Sequence, residues 1–204
     1  MSPDYRLYLV TDERLSDEAL CYVVTQAVEG GVTMVQLREK QGDLRRFIHR
    51  GQLLKTILAG TGVPLIINDR VDVALAINAD GVHLGQSDMP AEMARELLGE
   101  DKLLGLTVES MAQLQEAQSL PVDYLGISTV FATPTKTDTC FEWGVPGLEL
   151  AQSCSQLPLV AIGGIELANI GQVCATGVAG VALVSAICGA QKPRVAAREL
   201  LARI

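Results

Sequence analysis

Three cations, two carboxylates and two glycine-rich or hydroxyl-bearing turns are the residues of this chain best suited to chemistry on an anion. The cations are Arg38, Lys40 and Lys136; the carboxylates are Asp69 and Asp88; the turns are Gly163-Gly164 and Val184-Ser185. In an extended chain, residues two apart share a face. Within Gln36-Leu37-Arg38-Glu39-Lys40, this sets Gln36, Arg38 and Lys40 against Val35, Leu37 and Glu39. Val35 and Leu37 suit a helix-covered exterior, which turns the two cations inward. Converging cations are costly unless an anion lies between them. The alternative is an exposed loop of solvated charge, and the parity favours a bound anion.

Asp69 and Asp88 each lie just beyond a short apolar run. Two such carboxylates can share Mg²⁺, which takes oxygen ligands and keeps waters and substrate phosphates in its shell. Each could instead cap a helix. The neighbouring Arg38, Lys40 and Lys136 favour a metal–diphosphate site, because such a group needs both kinds of counter-charge. Gly163-Gly164 and Val184-Ser185 can present backbone N–H groups and a hydroxyl to a phosphate, although a Gly-Gly pair alone is usually only a turn. The histidines carry less: His49 falls on a helix and His83 inside an apolar run, both more in keeping with structural roles. No Ser-His-Asp, Cys-His or metal-spaced His pair appears.

These residues need elements to position them. Eight apolar runs read as buried strands: Leu7–Val10, Met34–Leu37, Pro64–Asn68, Gly81–Leu84, Leu103–Thr107, Tyr124–Ser128, Leu159–Gly163 and Gly180–Val184. Several are continuous rather than alternating, as parallel strands covered on both faces should be. Between them the pattern predicts helices over Ser16–Glu29, Asp43–Leu58, Arg70–Ile77, Pro90–Leu98, Ser110–Gln118, Leu148–Ser155, Glu166–Ala175 and Pro193–Ala202. Eight strand–helix units of about 25 residues predict an α/β fold, a (β/α)₈ TIM barrel near its lower size limit, forming one compact domain over residues 1–204. An open doubly wound sheet is the alternative. The barrel is favoured because the candidate residues fall at the C-terminal ends of strands, where such barrels do their chemistry. Residues Thr129–Gly147 are long for a barrel loop and carry Lys136, which predicts a mobile lid over substrate rather than an idle insertion.

Composition excludes other classes. The chain of 204 residues is 49% apolar, ample for a packed core, and its net charge is −8. That sign argues against nucleic acid or an anionic membrane as partner. Five cysteines with no C-x-x-C spacing are not a disulfide framework or zinc site, and the N-terminus shows no signal peptide, so a cytoplasmic setting is expected. The uncharged run Leu167–Gln191 holds polar residues and glycines and is rejected as a membrane span.

Seven stretches carry a resemblance to the thiamine-phosphate synthase (thiamine-phosphate pyrophosphorylase) family. They are Leu7–Asp12, Val35–Lys40, Ile67–Arg70, Asp80–Gln86, Asp123–Gly126, Val130–Lys136 and Val160–Ile165, and together they span nearly the whole chain in order. The resemblance implies a transferase joining 4-amino-5-hydroxymethyl-2-methylpyrimidine diphosphate to a thiazole phosphate, giving thiamine phosphate and pyrophosphate. It implies that Gln36, Arg38, Lys40, Asn68 and Lys136 bind the pyrimidine diphosphate, with the whole run through Leu37 and Glu39 in the substrate site. Arg38, Lys40 and Lys136 would be the catalytic charges. Asp69 and Asp88 would hold Mg²⁺. Thr133, Pro134, Thr135, Gly164, Val184 and Ser185 would serve the thiazole phosphate, and Thr107 stands on the pyrimidine side where the family more often has Ser. Members can assemble as homo-oligomers. A related thiazole tautomerase, a non-catalytic phosphate sensor and a phosphosugar epimerase are the competing readings. The retained cations and carboxylates argue against the first two, and the lack of paired proton-transfer groups argues against the third.

Overall fold

The computed structural model describes residues 3–41, 43–132 and 142–204. Eight parallel strands close a barrel in chain order. They are β1 (Leu7–Val10), β2 (Met34–Leu37), β3 (Leu65–Asn68), β4 (Gly81–Leu84), β5 (Leu103–Val108), β6 (Tyr124–Ser128), β7 (Leu159–Ile162) and β8 (Gly180–Leu183). The helices are α1 (Asp17–Glu29), α2 (Leu44–Leu58), α3 (Val71–Ile77), α4 (Ala91–Leu98), α5 (Met111–Ala117), α6 (Gly144–Cys154), α7 (Ile170–Cys174), α8 (Ser185–Cys188) and α9 (Pro193–Leu201). The predicted barrel is therefore the observed fold, and most element ends agree with the sequence pattern to within one or two residues.

Local chemistry starts the helices where the sequence places them. Ser16, Asp43 and Ser110 each accept a hydrogen bond from the backbone N–H three residues on, capping α1, α2 and α5. Three differences have physical causes. The predicted helix over Glu166–Ala175 is only α7, because the Asn169 side chain folds back, accepting from Glu166 N and donating to the Gly164 carbonyl. The predicted helix from Leu148 begins instead at Gly144, with Pro146 in its first turn, where a missing N–H costs nothing. The short α8 follows β8 directly and was not foreseen; four residues are too few to show a period.

Strand parity divides the apolar residues into two cores. Leu7, Leu9, Val35, Leu37, Leu65 and Ile67 pack outward against the helices. Tyr8, Val10, Met34, Ile66, Tyr124, Val160 and Ala182 fill the barrel interior. Closure demands small residues where strands crowd. A Cβ on Gly180 would lie 1.7 Å from the Tyr5 carbonyl oxygen at the β1–β8 seam, whereas one on Gly171 in α7 would meet nothing within 4 Å. Gly180→Ala is thus expected to cost about 3 kcal/mol or more, while Gly171→Ala should be neutral or mildly stabilising. Thermal melts of the two variants check this, and a Gly180→Ala protein as stable as wild type would show that the seam relaxes freely.

Among the described residues no helix is long and apolar enough to cross a membrane. The uncharged run from Leu167 is interrupted as expected, by α7, β8 and α8. Cys21, Cys154, Cys174 and Cys188 are free thiols.

Candidate active site

A cavity of about 650 Å³ opens at the C-terminal mouth of the barrel. Gln36, Arg38 and Lys40 line it from the end of β2, Asn68 and Asp69 from β3, Asp88 from beyond β4, Thr107 from β5, and Gly164, Val184 and Ser185 from beyond β7 and β8. Ten residues singled out in the sequence thus share one space. Thr133, Pro134, Thr135 and Lys136 lie outside the described residues, as does Cys140.

The side chains of Leu37 and Glu39 do not line the cavity, which corrects their inclusion in the substrate-binding run. Leu37 belongs to the outer core. Glu39 is buried on the helix side, where its Oε1 accepts from Arg50 Nη1 at 2.7 Å. The same parity that turns Arg38 and Lys40 inward turns these two away. Arg50, only 1% exposed, also binds Asp17 and the carbonyls of Glu13 and Leu15. Glu13 in turn accepts from the backbone N–H of Lys40 and Gln41. Arg50 therefore ties the β1–α1 turn to the end of β2 and braces the strand that presents the cations. Thr11 assists by accepting from Arg38 N at 3.0 Å. Asp12 pairs with Arg14, whose hydrogen bonds, helped by the charge of Arg38, hold the Asp12 carboxyl below its usual range.

Asp69 and Asp88 come together although they are 19 positions apart. Asp69 sits at φ 62°, a left-handed conformation that Asp and Asn tolerate better than most residues. It forms an ion pair with Lys40, and its Oδ1 accepts from Asn68 Nδ2 at 2.6 Å. Burial pushes its carboxyl up; Lys40 opposes that shift, and Asp88 adds to it. Asp88 accepts from Gly85 N at 2.7 Å. Neither aspartate caps a helix: Arg70 and Pro90 occupy the positions before α3 and α4. Beside them the side-chain amide oxygen of Asn68, Oδ1, is buried with no hydrogen-bond partner. Among the described residues no group of three or more His, Cys, Asp or Glu could hold a metal ion. The donors present fit a hard cation that keeps part of its shell for water and phosphate: two neighbouring carboxylates and an orphaned amide oxygen.

The opposite wall is built from glycine. Gly163 and Gly164 have φ of 107° and 63°. A Cβ on Gly164 would come within 2.8 Å of the Ala132 carbonyl oxygen. The segment read as a lid is anchored at both described ends. Val130 N and Phe131 N donate to the carbonyls of Ile162 and Gly163, while Trp143 N and Gly144 N donate to those of Thr129 and Val130. The reading of its centre as a mobile lid falls on residues 133–141, outside those described.

Sequence reasoning missed part of the site. Tyr8, His83 and Tyr124 also line the cavity. His83, expected to be structural, bonds through Nδ1 to the Tyr124 hydroxyl and through Nε2 to Thr107 Oγ1. Tyr8 shares a face with Val10, His83 with Gly81, and Tyr124 with Gly126 and Ser128, but none of these partners marks its face as the interior in the way that Arg38 and Lys40 do on β2. His49 lies on α2, away from the cavity, 3.5 Å from Asp17.

Comparison with known proteins bears on what such a cavity does. The profile of the family described as "Thiamine monophosphate synthase" matches residues 7–187. The chain is 64% identical to a thiamine-phosphate synthase of Vibrio parahaemolyticus over 197 residues, 97% of each chain. It is 53% identical to that of Albidiferax ferrireducens, covering 96% of this chain and 90% of the relative. Among solved structures, a thiamine phosphate pyrophosphorylase from Pyrococcus furiosus superposes with a TM-score of 0.88 at 37% identity, covering 98% of this chain and 95% of the other.

Proposed function

The chain belongs to the thiamine monophosphate synthase family and is a transferase that makes thiamine phosphate; we propose that it does so by joining 4-amino-5-hydroxymethyl-2-methylpyrimidine diphosphate to a thiazole phosphate. The observation that carries this reading is one cavity with two differently built ends. Arg38, Lys40, Asn68, Asp69 and Asp88 gather on one side, and Gly164, Val184 and Ser185 on the other. The first end suits a diphosphate with its metal, and the second a single phosphate.

In this reading Arg38 and Lys40 grip the diphosphate and stabilise the charge that develops as it leaves. Lys136 adds a third cation by resemblance. Asp69 and Asp88, with the Asn68 oxygen beside them, would hold Mg²⁺, which when bound supplies Lewis-acid stabilisation of the departing pyrophosphate. An electron-rich aminopyrimidine supports a carbenium ion at its methylene, so the step is dissociative: the C–O bond breaks, pyrophosphate departs with the electron pair, and the thiazole nitrogen then attacks the methylene. No strong general base is required, and positioning supplies much of the rate. Thr133, Pro134 and Thr135, with Gly164, Val184 and Ser185, orient the thiazole phosphate. The free thiols support a reducing, cytoplasmic setting.

The test is an assay with both substrates and Mg²⁺ that follows thiamine phosphate. Wild type should form it, and Ser185→Leu should raise the KM of the thiazole phosphate about tenfold or more by displacing a phosphate contact, with little change in the KM of the diphosphate. A wild type that binds thiazole phosphate without turnover would sink the proposed substrate pair, and an unchanged KM would remove Ser185 from the site.

A further inference from the structure

A chain of hydrogen bonds crosses the cavity floor, and the transfer chemistry above makes no use of it. Gln36 Nε2 reaches the Tyr8 hydroxyl at 2.8 Å, Tyr8 the Tyr124 hydroxyl at 3.0 Å, Tyr124 the His83 Nδ1 at 3.0 Å, and His83 Nε2 the Thr107 Oγ1 at 2.8 Å. Five strands contribute one residue each. The interior is cleared for it by glycine. A Cβ on Gly105 would lie 2.2 Å from Tyr124 Cζ and 2.4 Å from His83 Nδ1, and one on Gly126 would lie 3.0 Å from His83 Cε1. Burial raises both phenols above their usual range, so each keeps its single proton.

Such a chain has a direction. A phenol has one proton to give, and a neutral imidazole has one N–H and one lone-pair nitrogen. The Gln36 Nε2 can only donate, so Tyr8 accepts there and passes its own proton toward Tyr124. Tyr124 then donates to His83 Nδ1, and Nε2–H donates to Thr107. What is left over is, at one end, the Gln36 carbonyl oxygen, an acceptor, with the amide's second N–H beside it, and at the other the Thr107 hydroxyl proton, a donor. Reversing either end reverses both.

We propose that Tyr8, Tyr124 and His83 are positioning residues that fix Gln36 as acceptor and Thr107 as donor toward the cavity, so that the site selects a 4-aminopyrimidine over its 4-oxo counterpart. This rests on the pyrimidine diphosphate reading given above. The amino form presents an N–H donor beside an unprotonated ring nitrogen, which matches the fixed polarity. The oxo form presents a carbonyl oxygen beside a ring N–H and sets lone pair against lone pair and proton against proton. A buried site of fixed polarity rejects the mismatched form because its own polar groups go unpaired.

Two measurements on the intact protein test this. Nitrogen-15 NMR of His83 should show Nε2 protonated and Nδ1 bare; a protonated Nδ1 would run the chain the other way and overturn the proposal. Calorimetry should then compare the 4-amino and 4-oxo pyrimidine diphosphates, with Mg²⁺ present, on wild type and Tyr124→Phe. The amino preference should fall at least about tenfold in the variant, while the affinity for thiazole phosphate stays within about twofold. An unchanged preference overturns the relay. Tyr8→Phe breaks the same chain at another link and must give the same loss, which covers the case of a variant that fails to fold. Failure of the underlying substrate reading would show separately, as wild type forming no thiamine phosphate from the amino substrate.

Discussion

Replacing Asp69 with asparagine is expected to lower kcat/KM for the pyrimidine diphosphate by about 10²–10³-fold. Asn keeps the size of the side chain and tolerates the left-handed backbone at this position, where φ is 62°. The backbone N–H that donates to the His83 carbonyl is also retained. What disappears is one negative charge. Lys40 loses its ion partner, and Asp88 loses the carboxylate with which it would share a metal. Stability should therefore stay within about 0.5 kcal/mol, more Mg²⁺ should be needed for half-maximal rate, and the KM of thiazole phosphate should barely move. Steady-state kinetics with each substrate varied in turn checks this. Equal loss of both affinities would count against a cavity with two separate ends.

Arg50→Met is expected to be the most damaging substitution outside the cavity, costing about 3–5 kcal/mol. Met replaces the aliphatic stem of Arg50 but not the charge that compensates Glu39, whose side chain is 1% exposed. Without it a carboxylate stays buried beside only a distant Arg46, 4.0 Å from its Oε2. For a chain of this size the loss corresponds to a fall in Tm of roughly 6–20 °C. The turn held through the Glu13 and Leu15 carbonyls would also loosen, and with it the end of β2. Removing both charges in Arg50→Met/Glu39→Gln should recover part of the loss, because the orphaned charge rather than the missing attraction dominates the single variant. A single variant that melts like wild type would show that the pair does not brace the strand.

Which side chains face inward could be read from the sequence in one strand only. In β2 the polar end fixes the phase: once Gln36, Arg38 and Lys40 are set inward, Leu37 and Glu39 must face the helices. The other strands give no such phase, because nearly every residue in them is buried on one side or the other. Tyr8 and Leu9 are both apolar in bulk and both hidden, yet one floors the cavity and the other packs under helices. His83 looked structural because a lone histidine between Val82 and Leu84 carries no sign of which neighbours its nitrogens will meet. Glu39 looked like part of a charged run because nothing near it in the chain announces Arg50, eleven positions on.

The alternation of eight strands and helices is legible in the chain alone, and with it the placing of cations, carboxylates and glycine turns at strand ends. Those follow from periodicity, capping and chain direction, which depend on residues a few positions apart. Which ends converge, that Tyr8 meets Tyr124 across 116 positions, and that Asp69 meets Asp88 with Lys40 beside them emerge from the folded barrel. These depend on the register in which the barrel closes. That register is set by crowding between distant strands, as at Gly180 against Tyr5 and Gly105 against Tyr124, and no local pattern encodes it.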